Sequence, residues 1–170
     1  MSNKAKKIFL LLSIVVPFML YCVYYYGMMV KNAPYKFAEF EGLKLEYGYN
    51  DSLLNRYNSA TGDYQFVNRK DSVVKMHMNL SKDDLLYLHR KAAELGYWDF
   101  PANEIKKDPK ERSMRYIIEF KYKRKTKRVV FDETYQGNDK LIDANERLIK
   151  EIKKKLDENE ARLRAIKLQS

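Results

Sequence analysis

The chain has only two histidines, His77 and His89, and one cysteine, Cys22. Hydrolysis by a serine or cysteine nucleophile needs a base that a third group orients. No Gly-x-Ser-x-Gly run and no Cys–His spacing supplies that arrangement. The two histidines lie too far apart in sequence to share a metal through a short ligand motif. His77 belongs to a segment whose apolar residues alternate, which turns it outward with Lys75 and Asn79. Asp83 and Asp84 open a helix, where carboxylates answer the positive end of the helix dipole. Asp99 with Glu104 is a carboxylate pair whose spatial separation the sequence does not give. No catalytic residue, metal ligand or cofactor is assigned from these groups.

Charge is more informative. The net charge is +10. Residues 31–100 and 132–170 are each balanced, whereas residues 101–131 carry eleven basic groups against four acidic ones. Within that window Met114–Tyr122 and Lys127–Asp132 alternate as two strands of a hairpin, and Lys123-Arg124-Lys125-Thr126 makes the turn. Lys121, Lys123, Arg124, Lys125, Lys127 and Arg128 gather there. They form the candidate surface for an anionic partner: an envelope component, a protein or a lipid headgroup. A charged hairpin edge that discourages aggregation is the alternative.

The dominant element is Ile8 to Val30, 23 residues without a charged side chain. As a helix it runs about 34 Å, enough for a ~30 Å hydrocarbon core. Tyr21, Tyr24, Tyr25 and Tyr26 sit toward its end, where an aromatic belt meets the interface. Bulky residues follow the early apolar run and no Ala-x-Ala site appears, so an uncleaved anchor is expected rather than a signal peptide. Lys4, Lys6 and Lys7 are denser than Lys31, Lys36 and Lys44 beyond it. The N-terminus is therefore expected in the cytoplasm and the domain outside; a likeness to membrane-anchored bacterial domains implies the cell (inner) membrane, with the domain periplasmic. Nucleic acid is then an improbable partner.

The expected organisation is a basic N-terminus (1–7), a transmembrane anchor (8–30), a linker (31–42), an α+β domain (43–156) and a helical extension (157–170). The domain reads as strands at Leu43–Tyr49, Leu53–Tyr57, Tyr64–Asn68 and Val73–Leu80, then a helix capped by Ser81 and closed by Gly96. Tyr97-Trp98-Asp99-Phe100 folds back to close the core or lines a pocket. Residues 102–112 read as a charged loop. The hairpin follows, and a last amphipathic helix carries Leu141, Leu148, Ile152, Leu156, Leu163 and Ile166, unbroken or broken near Asp157–Glu160. The fold class is α+β, with an antiparallel sheet and two helices after the anchor.

This order resembles emfourin-like proteins over roughly residues 43–156. The likeness is carried by the turn at Asn58–Asp63, the capped helix Ser81–Leu95 and the aromatic exit Trp98–Pro101. It implies an α+β module of the kind that inhibits thermolysin-type metalloproteases. The anchor and the basic hairpin depart from that pattern, and no inhibitory residue transfers. The chain also resembles small membrane-anchored bacterial domains. Its expected role is a non-enzymatic binding module. The alternatives are an enzyme, or a structural subunit that pairs, with itself or another protein, through its last helix.

Overall fold

The computed structural model describes residues 3–32, 35–106 and 112–169. The chain divides into two compact units after Tyr35.

The first unit is one helix, α1 (Asn3–Asn32), with Pro17 inside it. It is long and apolar enough to cross a membrane, and none of its apolar window is buried by protein.

The second unit is an α+β domain. A 3-10 turn at Phe37–Glu39 leads into β1 (Phe40–Tyr49), β2 (Ser52–Asn58), β3 (Asp63–Val67) and β4 (Val73–His77). Then come α2 (Lys82–Glu94), a 3-10 turn at Tyr97–Asp99, β5 (Asn103–Glu104), β6 (Met114–Tyr122), β7 (Thr126–Asp132) and α3 (Asp139–Gln169). The sheet order is β4-β3-β2-β1-β6-β7-β5. So β1 is central: it pairs with β2 on one edge and β6 on the other.

The registers align one buried row across the strands. Tyr64 opposes Tyr57, Tyr57 opposes Leu45, Leu45 opposes Ile118, and Ile118 opposes Val129. All five side chains are buried, as period-two alternation on one covered face requires. The helices cover this face. From α2, Leu88 and Ala92 are fully buried; from α3, Leu148, Ile152 and Leu156 are buried, each contributing about 2 kcal/mol as an apolar side chain withdrawn from water.

Ser81 caps α2 by accepting from the Asp84 amide, and Gly96 closes the helix at φ 74°. Tyr97, Trp98 and Phe100 fold under α2 into the core, with ring centroids 5.4 Å from Phe120 for both Tyr97 and Trp98. They close the core rather than line a pocket.

Two details differ from expectation and one open alternative is decided. Residues 103–104 lie in the stretch read as loop, yet they add a strand parallel to β7, so the sheet is mixed rather than wholly antiparallel. Two residues have no periodicity, and one of them, Glu104, is a fully buried charge-bearing residue. The strand read as Val73–Leu80 stops at His77, because its partner β3 begins at Asp63 and no strand lies beside it further on. The last helix is continuous through Asp157–Glu160.

Candidate functional site

The basic hairpin is built by register. A bulge at Glu41 lets Phe40 oppose Tyr122 while Gly42 opposes Lys121. This sets the start of β1 beside the β6–β7 turn. The Lys123 amide donates to the Glu39 carbonyl at 2.9 Å, and the Tyr122 amide donates to the Lys125 carbonyl at 2.9 Å.

The register divides the basic residues of the strands between two faces, Lys121 and Arg128 on one and Lys127 on the other. Arg124 grips Glu39 with two nitrogens, at 2.6 and 2.7 Å. Lys121 pairs with Glu41 at 3.0 Å. Lys123 and Lys125 are exposed in the turn. Lys127 is half-buried and donates from Nζ to the Phe100 carbonyl. Arg128 is exposed on the opposite face of β7, across from Glu119. Hydrogen bonding from Arg124, with the charges of Arg124, Lys36 and Lys123, holds the Glu39 carboxyl below its usual range. Lys36 therefore joins the cluster, a member the sequence reading did not include. The 3-10 turn holds it beside Glu39, whose amide donates to the Lys36 carbonyl at 2.9 Å.

Beside the turn is an open hollow of about 500 Å³ with Phe37, Phe40, Leu80 and Leu85 in its lining and Lys82 at its rim. Phe37 and Phe40 stack at 5.4 Å. Phe37 also lies 5.5 Å from the His89 ring. His89 Nδ1 shares a 2.8 Å hydrogen bond with the Tyr122 hydroxyl. Burial, helped by the charge of Arg90, lowers the His89 pKa. His89 is thus an aromatic-core member, packed against Trp98 at 5.6 Å. His77 is exposed and bonds with Asn79 at 3.2 Å. Among the described residues no three His, Cys, Asp or Glu side chains are grouped to hold a metal ion.

Tyr21, Tyr24, Tyr25 and Tyr26 of α1 are all exposed, and Tyr21 stacks on Tyr25 at 6.3 Å, one helical turn apart.

A second concavity, about 680 Å³, runs between α3 and the sheet. Tyr116, Phe131 and Ile149 line it, with Lys150, Lys153 and Lys154 facing Glu133, Glu146, Asp157 and Glu158 around the rim. Lys153 Nζ sits 4.6 Å over the Tyr47 ring. Burial and the charge of Asp157 push the Tyr47 phenol up to about 12. The rim of the groove carries both signs of charge. The sequence shows each residue but not that Tyr47, Tyr116 and Phe131 share one row.

No family model, no curated protein and no solved structure matches this chain significantly. The likeness to emfourin-like proteins stays one of element order.

Proposed function

We propose that this is a single-pass protein of the cell membrane, with its N-terminus in the cytoplasm and its α+β domain outside, acting as a non-enzymatic binding module. The observation that carries the reading is α1. Its apolar window has a mean hydropathy of 2.2 and 0% of it is buried. A surface of that size exposed to water is unfavourable at about 25 cal/mol per Å² of apolar area, and a bilayer removes the cost. The lysines at 4, 6 and 7 favour a cytoplasmic N-terminus.

The binding surface is the basic turn with the Phe37–Phe40 hollow. It offers charge for an anion and apolar area beside it. Replacing Lys123, Arg124 and Lys125 together with Ser weakens binding to an anionic partner and flattens its salt dependence. The reading fails if the full chain is extracted from membranes by alkaline carbonate, or if both binding and salt dependence are unchanged in the triple variant.

A further inference from the structure

We propose that the anionic partner of the basic turn is the headgroup layer of the bilayer that holds the chain's own anchor, so that the domain rests on the membrane by this end. The inference deepens the reading above and rests on its assignment of residues 8–30 as membrane-spanning.

Three observations converge. First, the apolar run ends at Val30 and the compact domain starts at Lys36. Six residues of chain reach about 20 Å at most. The point of entry into the domain therefore stays close to the headgroups. Second, the hairpin turn is fastened to that point of entry. Lys123 bonds the Glu39 backbone, Arg124 grips the Glu39 carboxylate, and Lys121 pairs with Glu41. Third, the chemistry of this end is that of an interfacial anchor. Lys36, Lys121, Lys123, Arg124 and Lys125 stand against Glu39 and Glu41, an excess of three positive charges. The half-buried Phe37 and Phe40 lie beside them, with Lys82 at the rim of their hollow. Basic groups are drawn to anionic leaflets, and aromatic rings settle at headgroup depth.

Tethering favours this occupant over a soluble one. A short linker holds the turn at a high effective concentration of headgroups, whereas a free anion must be recruited from solution. The opposite end of β1, at Tyr49, lies about 30 Å away along the strand and carries no such tether.

The test uses the full chain in lipid vesicles, with Cys22→Ser and one new cysteine for a fluorophore. Thr126→Cys reports from the basic turn and Ser52→Cys from the far end; both positions are exposed. The quencher is a nitroxide on the lipid headgroup. The expected result is strong quenching at position 126 in vesicles containing phosphatidylglycerol. It falls about threefold in phosphatidylcholine alone or at high salt, and little quenching occurs at position 52. Lys123→Ser/Arg124→Ser/Lys125→Ser lowers the signal at 126 similarly. The lipid and salt arms stand even if that variant folds poorly. Equal quenching at both positions, or quenching at 126 indifferent to lipid charge and salt, overturns the inference alone, provided the chain floats with the vesicles. A chain that does not float overturns the anchor and the inference together.

Discussion

Glu104 Oε2 accepts a 2.6 Å hydrogen bond from Asn145 Nδ2, with both residues wholly buried, while Glu104 Oε1 and Asn145 Oδ1 have no partner among the described residues. A carboxylate has no donor to offer the carboxamide oxygen; a neutral carboxyl has one. Burial raises the Glu104 pKa, against the Asn145 bond and the charge of Lys127. Tyr97, pushed well above its usual range by burial and by Glu104, faces the same site. The pair fastens the short β5 to the sheet edge through α3.

Glu104→Gln keeps the shape of the neutral acid and adds a donor, so it costs less than about 1 kcal/mol, while Glu104→Ala costs about 2–3 kcal/mol. A raised folded pKa means that the native state holds the proton longer than the unfolded chain. Stability is full below the unfolded value of about 4.3 and declines as pH rises toward the raised one. Urea unfolding of the detergent-solubilised chain, followed by Trp98 fluorescence, should show this decline in the wild type and not in Glu104→Gln. Parallel pH profiles for the two would contradict it.

Asp84 behaves in the opposite sense. It is buried, which raises its pKa, but bonds from Ser81, Lys155 and Asn159 outweigh burial and hold the carboxyl at about 2. Lys155 Nζ lies 3.1 Å away, so the start of α2 is tied to the middle of α3. A depressed pKa gives stability that is present above about 3.9 and is lost as pH falls through the folded value. Asp84→Ala should cost about 2–3 kcal/mol at neutral pH and remove most of the acid-side loss. A variant as stable as wild type at pH 7 would show that the Asp84–Lys155 tie contributes nothing.

Gly62 adopts φ +73°, and a Cβ there would meet His77 Cε1 and Asn79 Oδ1 at 2.4 Å each. The Gly62 carbonyl also accepts from the Met78 amide at 2.8 Å. His77 therefore covers a tight turn. Gly62→Ala should lose about 1–3 kcal/mol, and His77→Ala should recover part of it in the double variant, leaving the strain of the positive φ. Strict additivity in a thermal-unfolding cycle would separate His77 from the turn.

From residue 161 to 166 the last helix is mostly exposed, with Ile166 62% exposed. Asn159, in contrast, is buried and bonds to Asp84 at 3.4 Å. Deleting residues 161–170 should therefore shift the melting temperature by less than about 3 °C, while a deletion from residue 158 costs more by removing Asn159. A large loss from the shorter deletion would mean that the tail is covered, for which a second copy of the chain is the natural occupant; light scattering of the two forms would show it.

Much of the fold is legible in the residues. Leu43 and Leu45, and Ile118 with its alternating neighbours, announce a half-buried sheet, and Ser81 with Gly96 brackets α2. What escapes is whatever depends on long-range pairing. The two residues of β5 carry no period, and Glu104 reads as a solvated charge until Asn145 arrives from α3. The basic window was legible as composition. Its division was not: the register that brings Glu39 to Arg124 and Lys127 under Phe100 exists only once β1 and β6 are paired. Lys36, read as part of a linker, is held beside Glu39 by the 3-10 turn at Phe37–Glu39, and only the register then sets both beside the β6–β7 turn.

The account's central claim is an anchored domain on the outer side of the membrane. Protease added to intact cells, and in parallel to inverted membrane vesicles, tests it most directly. The account predicts that the domain is cleaved in intact cells and protected in inverted vesicles. Protection in cells with cleavage in inverted vesicles would place the domain in the cytoplasm and contradict the proposed orientation.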